Sequence, residues 1–163
     1  MSRPDTAMIF AAGRGTRMRE LTQHRPKPMI PLAGRPLIDH ALDRVAEAGL
    51  RRAVVNTHYL PDALEAHLAQ ETRFDIALSH EPTLLETGGG LKKAAPLLRD
   101  GPVWTLNADA AWAGPSPFAA PDLHPVPGGA CLLLVPKARA FAHPGRGNMR
   151  FDPGFQPGQR GMG

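Results

Sequence analysis

Gly13-Arg14-Gly15-Thr16-Arg17 gathers two glycines, a hydroxyl and two guanidinium groups into one short stretch, and Pro26-Lys27-Pro28 follows closely behind it. Glycines let backbone N–H groups approach an anion with no Cβ in the way, Thr16 adds a donor, and Arg17 offers a planar fork that matches two phosphate oxygens at once. The prolines flanking Lys27 fix the backbone and bar a helix, so its ammonium stands on a stiff extended loop. Stiffly held cations beside a glycine turn suit a small polyphosphate. The order is not that of the Walker loop, which needs Gly-Lys followed by Ser or Thr. It also lacks the third glycine of the dinucleotide fingerprint, where Met18 stands instead. Taken alone, each stretch fits a blander role as well: a glycine turn with solvated arginines, and a proline-rich surface turn whose lysine meets water.

Two further groups could share that chemistry. Leu85-Glu86-Thr87-Gly88-Gly89-Gly90 opens a helical pattern through three glycines, and Asn107-Ala108-Asp109 closes an apolar run. An aspartate there can hold a hard cation such as Mg2+, which needs few carboxylates when phosphates and waters supply the rest. A lone aspartate after a strand is otherwise a turn former. Lys92 and Lys93 read as a solvated helix face. His40, His58, His67 and His80 lack metal-ligand spacing, and Trp104 and Trp112 read as packing at the end of a sheet.

The elements that must position these groups alternate. Residues 7–12 are a short apolar run ended by Gly13 and read as a buried strand. From Pro36, Leu37, Ile38, Ala41, Leu42, Val45 and Ala48 recur at helical spacing, with Asp39 in the first turn and Gly49 as the stop. Strands follow at 51–59, 74–80 and 101–109, and helices at 61–71, with Leu64 and Leu68 inward, and at 87–100. Short connections between alternating strands and helices predict an α/β fold: a mostly parallel sheet with helices on both faces and a ligand beyond the carboxyl ends of its strands. The glycine loop, the 87–90 stretch and 107–109 all follow strands, so they are expected to meet in one crevice. Past Asp109 the periodicity fades, apart from one strand signal in residues 130–137. The expected organisation is a nucleotide-binding core over 1–135 and an incomplete or poorly ordered segment over 136–163.

Composition narrows the partners. In the first 35 residues Arg3, Arg14, Arg17, Arg19, Arg25, Lys27 and Arg35 face only Asp5 and Glu20. With aromatics at 6% of the 163 residues, a base-stacking platform for nucleic acid is not expected. The single cysteine, Cys131, excludes an internal disulfide framework and suits a reducing compartment. No run is long and apolar enough to cross a bilayer, and the start lacks the basic and apolar regions of a signal peptide, so a cytoplasmic protein with no membrane partner is expected. Nothing in the sequence sets an oligomeric state.

Residues 11–38, AAGRGTRMRELTQHRPKPMIPLAGRPLI, resemble the signature of the sugar-phosphate nucleotidylyltransferases. The LETGGG stretch and Asn-Ala-Asp followed by Trp112 resemble the branch that acts as N-acetylmuramate-1-phosphate uridylyltransferase. The resemblance runs from about residue 7 to about residue 112 and implies a Rossmann-like three-layer nucleotidyltransferase fold. It implies transfer of a nucleoside monophosphate, UMP in that branch, from a nucleoside triphosphate to a sugar 1-phosphate used in cell-wall recycling, with release of pyrophosphate and with Mg2+ as cofactor. A guanylyltransferase for mannose- or heptose-type 1-phosphates, or a nucleotide-binding remnant without catalysis, are the alternatives.

By the resemblance, Gly13, Gly15 and Thr16 match the phosphate cradle, with Arg14 at a variable position inside it. Arg17 matches the arginine that neutralises the departing pyrophosphate, Lys27 the lysine on the α-phosphate, and Asp109 the metal carboxylate. Thr87 and Gly88 match the base-reading loop, and Glu81 stands where some members place a glutamine on the base. Three departures stand out. Ala108 replaces the usual glycine, a change that could crowd the approach of the sugar phosphate. Glu86 replaces another glycine, and no acid past Asp152, itself read as a turn residue, can supply a second metal ligand. The resulting expectation is a C-terminally truncated member of the family.

Overall fold

The computed structural model describes residues 3–119 and the single positions 129, 130 and 132. The strand expected at 130–137, Cys131, Asp152 and the segment from 136 onward lie outside the described residues, apart from positions 130 and 132. The chain divides into units Met1–Ala120 and Pro121–Gly163, and the elements below belong to the first.

The apolar run after Asp5 forms strand β1 (Thr6–Phe10), and the chain then winds through 3₁₀ turns at Thr16–Thr22 and Lys27–Met29. A short hairpin follows, β2 (Pro31–Leu32) and β3 (Arg35–Pro36), closed by Ala33 and Gly34, both at positive φ (50° and 81°). Two such residues make the tight turn whose twist matches paired strands. Then come α1 (Leu37–Glu47), β4 (Arg52–Thr57), α2 (Pro61–Leu68), β5 (Asp75–His80), α3 (Thr87–Ala94) and β6 (Val103–Asn107). Gly49 ends α1 with φ 75°, its N–H bonding back to the Ala46 carbonyl at 2.9 Å, the left-handed exit that glycine alone adopts without strain.

Four strands form one all-parallel sheet in the order β5-β4-β1-β6. The chain steps outward from β1 to β4 and β5, then returns to add β6 on the other side of β1. The order of strand addition thus reverses at β1, all strands keeping one direction, and a crevice opens beyond the carboxyl ends at such a switch point. Alternation along β1 separates two cores. Ala7 and Ile9 face Ile38, Leu42 and Val45 of α1 and Leu64 and Leu68 of α2, all buried. Met8 and Val54 face Ala94 of α3, with Leu91, Leu97 and Val103 packed beside them. Helices thus cover both faces of a mostly parallel sheet, in three layers.

Two helices stop earlier than their periodicity suggests. The pattern over 87–100 breaks at Ala94 because Pro96 has no N–H for the Lys92 carbonyl, and the chain tightens into a 3₁₀ turn at Ala95–Leu97. The pattern over 61–71 closes at Leu68, where the N–H of Glu71 bonds the Leu68 carbonyl at 3.1 Å, three residues back. Among the described residues, no helix is long and apolar enough to cross a membrane.

Candidate functional site

A cavity of about 250 Å3 opens at the carboxyl ends of β1, β4 and β6. Gly13 and Lys27 line it on one side, Glu86 and Thr87 on another, and Asn107 and Asp109 on a third, with Asn56 among its walls. Parallel pairing explains the meeting. β1 lies between β4 and β6, with Phe10 level with Asn56 on one side and Asn107 on the other, so the loops after all three strands leave from one edge. The N–H of Ala108 still pairs with the Phe10 carbonyl (3.0 Å), carrying the ladder one residue past β6.

Lys27 and Asp109 meet directly: the ammonium donates to Asp109 Oδ2, with both side chains only partly exposed. The two 3₁₀ turns hold the lysine in place. Gly15, at φ 64°, lies so close that an added Cβ would sit 2.9 Å from Thr22 Cγ2 and 3.1 Å from Lys27 Cβ. Thr22 Oγ1 donates to the Gly15 carbonyl (3.2 Å), and Tyr59 Oη donates to the Thr22 carbonyl (3.0 Å), which ties the loop to the end of β4. Gly13 differs from Gly15. Its backbone needs no glycine, a Cβ there would meet nothing within 4 Å, and the free space belongs to the cavity.

The remaining candidates divide. Thr87 stands at the cavity wall as the first residue of α3, whose opening N–H groups have no partners within the helix. Gly88 has open space where a side chain would be. Arg14, Thr16 and Arg17 are exposed on the loop and do not line the cavity, and Gly15 acts behind it through the packing just described. Arg17 is therefore not brought beside Lys27 and Asp109. Glu81 is placed differently from a group that reaches a base. It is fully buried, and its oxygens are taken by Asn56 and by the Leu85 N–H. Ala108, expected to crowd the approach of the sugar phosphate, is fully buried in the core beneath the site and also contributes to the cavity wall.

Asn56 and Tyr59 are site-shaping residues that the motifs did not single out. A polar residue directly after the apolar run Ala53–Val55, within the same strand, was the available signal for Asn56, since a buried amide needs partners; nothing local marks Tyr59. His58, His67, His80 and His40 each bond a carbonyl, carboxylate or hydroxyl. No three acidic, His or Cys side chains cluster as a ready metal cage among the described residues. Among the described residues a cation at Asp109 would therefore meet fewer than three such side chains and draw the rest of its shell from phosphate and water oxygens, a donor set that suits Mg2+ and not zinc.

The strongest perturbations of charge lie away from the cavity. Asp43 is held at about 2 by hydrogen bonding from Arg35 and, after that, from Arg73. Arg73 is raised in turn, chiefly by Glu71.

Comparison with known proteins gives the family and the fold. The pattern of the family described as Nucleotidyl transferase matches residues 6–117. An N-acetylmuramate alpha-1-phosphate uridylyltransferase of Caulobacter vibrioides is 51% identical over 114 residues, covering 67% of this chain and 47% of that protein. A mannose-1-phosphate guanylyltransferase of Mycobacterium tuberculosis is 36% identical over 105 residues, 63% of this chain and 29% of its own length. The crystal structure of a UDP-glucose pyrophosphorylase complexed with UDP-glucose superposes with a TM-score of 0.62 at 22% identity, covering 71% of this chain and 51% of that one. This chain thus spans about half the length of the uridylyltransferase and under a third of the guanylyltransferase.

Proposed function

Since the chain belongs to the Nucleotidyl transferase family, we propose that it carries the nucleotide half of a sugar-1-phosphate nucleotidylyltransferase that uses UTP. In this reading an oxygen of the sugar 1-phosphate attacks the α-phosphorus of the triphosphate. The bond from that phosphorus to the bridging oxygen breaks, and pyrophosphate leaves. The attacking phosphate, with a second pKa near ~6, is already mostly dianionic at neutral pH, so little proton transfer is needed. Both partners are anions, and the site must supply positive charge and alignment.

The observation that carries this reading is the Lys27–Asp109 pair at the cavity between the glycine loop and the start of α3. Lys27 is the cation for the α-phosphate, on a loop that Tyr59 and Thr22 hold still. Gly13 leaves backbone N–H and open space for the β- and γ-phosphates, and Arg17 follows as the cation for the departing pyrophosphate. Thr87 and Gly88 meet the base. Asp109 would hold Mg2+, which would supply neutralisation of phosphate charge.

N-acetylmuramate 1-phosphate is the proposed acceptor, with the 51% identity to the uridylyltransferase in support. A guanylyltransferase acting on a mannose-type 1-phosphate is the second reading, supported by the 36% identity to that class. The test is pyrophosphate release from the purified chain with Mg2+, each nucleoside triphosphate in turn and a panel of sugar 1-phosphates. Release with UTP and N-acetylmuramate 1-phosphate is the expected result, and preference for GTP would transfer the assignment to the second reading. Triphosphate binding without turnover with any acceptor would reduce the chain to a nucleotide-binding module, and absence of binding would end the proposal.

A further inference from the structure

Glu81 is the one fully buried acidic side chain among the described residues, and nothing in the reaction proposed above uses it. Its surroundings fix every hydrogen bond it makes. The N–H of Ala11, where β1 hands over to the glycine loop, donates to Asn56 Oδ1 at 2.7 Å. A backbone N–H can only donate, so the Asn56 amide cannot be flipped, and its Nδ2 must face Glu81 Oε1, 2.8 Å away. The second oxygen, Oε2, accepts from the N–H of Leu85 at 2.8 Å. Glu81 therefore faces two obligate donors and answers both with acceptors.

The backbone of Glu81 is held as firmly. Its N–H donates to the Thr57 carbonyl at 2.8 Å, and its own carbonyl accepts from His58 Nδ1 at 2.7 Å. α3 presses against the pair from the other side: a Cβ on Gly90 would fall 2.8 Å from Glu81 Oε1 and 2.9 Å from Asn56 Nδ2. Three separate segments of chain thus meet at this pair, and two of them, Ala11 to Gly13 and Leu84 to Thr87, line the cavity.

We propose that Glu81 is a positioning residue that, through Asn56, sets the glycine loop and the Leu84–Gly90 loop at a fixed spacing, and that it does not touch the nucleotide base. The role rests on the nucleotide reading of the cavity. It also makes an unusual demand: glutamine, the same shape, fails here. An amide has one carbonyl oxygen for two donors, and its NH2 would face a second N–H. Were Glu81 a base contact, glutamine would serve at least as well. Glu81→Gln therefore separates the two roles by direction.

A compensating exchange follows from the same donor count. In the double variant Asn56→Asp with Glu81→Gln, one aspartate oxygen accepts from Ala11, the other accepts from the new Gln NH2, and the Gln carbonyl accepts from Leu85. Every donor is satisfied again. Asn56→Asp alone sets two carboxylates face to face with no donor between them and should fail with Glu81→Gln.

The experiment compares the wild-type chain, both single variants and the double variant in two measurements. One is hydrogen exchange on the unliganded proteins, and the other is calorimetric binding of UTP with Mg2+. Each single variant should speed exchange at residues 11–15 and 84–90 and weaken UTP binding, in both cases by roughly tenfold or more, and the double variant should return both to within about threefold of wild type. Faster exchange throughout the sheet, with no concentration in those two segments, would mark a merely structural role and overturn the proposal. So would Glu81→Gln binding UTP as tightly as wild type, or a double variant no better than the singles. A wild-type chain that binds no triphosphate would sink the nucleotide reading alone, and the exchange pattern would still decide whether Glu81 couples the two loops.

Discussion

Lys27 and Asp109, 82 positions apart in the sequence, join their side chains at one cavity of this chain. A lysine on a proline-stiffened loop and an aspartate at the end of a parallel strand thus neutralise one another. On the proposed reading, a magnesium triphosphate would separate them, Asp109 holding the cation and Lys27 the phosphate. The same contact would then couple metal binding to nucleotide binding, which Asp109→Asn and Lys27→Ala test.

Asp109→Asn should release Lys27 and remove the cation ligand together. Turnover falls about a hundredfold, equivalent to about 3 kcal/mol of transition-state stabilisation, while UTP measured without Mg2+ binds no worse than to wild type. Lys27→Ala should lower turnover to a similar extent and weaken UTP with or without Mg2+. Steady-state pyrophosphate release and calorimetry distinguish the two patterns, and full activity in either variant would contradict the roles given to the pair.

Gly13 and Gly15 should respond oppositely to alanine. At Gly15 the left-handed backbone and the contacts to Thr22 and Lys27 should together cost about 2 to 4 kcal/mol of stability, read as a lowered urea midpoint. At Gly13 the fold has room, so stability should stay within about 0.5 kcal/mol of wild type. The added methyl intrudes on the cavity instead, and UTP affinity falls.

Arg17→Ala tests a group that does not line the cavity. Its melting temperature should match wild type, because the side chain is exposed, and turnover should fall about a hundredfold if the loop delivers the guanidinium to the pyrophosphate. Unchanged kcat would remove Arg17 from the reaction.

Asp43 makes a pH-dependent contribution remote from the chemistry. Its folded-state pKa, about 2, lies below the ordinary carboxylate value of 3.8. The stabilisation is therefore present above the ordinary value and is lost as pH falls towards the folded one. With solvent screening, Asp43→Asn should lower stability by about 1 kcal/mol at neutral pH and low salt, and the gap to wild type should close as pH drops from 4 towards 2. A gap that is unchanged over this range would show that Arg35 and Arg73 do not hold the carboxylate in this way.

Much of the architecture was legible from spacing because spacing is what a two-sided sheet imposes. Ile38, Leu42 and Val45 recur at the helical period and are buried, and Gly49 leaves α1 at the place its position suggested. The meeting of Gly13, Thr87 and Asp109 at one cavity followed from their places after parallel strands, whereas Lys27 was placed there only by the family resemblance. Other features depended on partners distant in sequence. That Asn56 bridges Ala11 to Glu81, and that Tyr59 reaches Thr22, is decided by the strand order, which no local pattern encodes. The short α3 shows a local rule outvoted by a stronger one, a helical period cut by Pro96.

The strand order has one more implication, for synthesis on the ribosome. β1, β4 and β5 can associate as soon as about half of the chain has emerged, but β6 lies on the far side of β1 and is made last of the four. A nascent chain stalled before Val103 would hold a folded glycine loop with Lys27 lacking its counter-charge. The counter-charge arrives in one step, when Asp109 clears the exit tunnel and completes the third wall of the cavity.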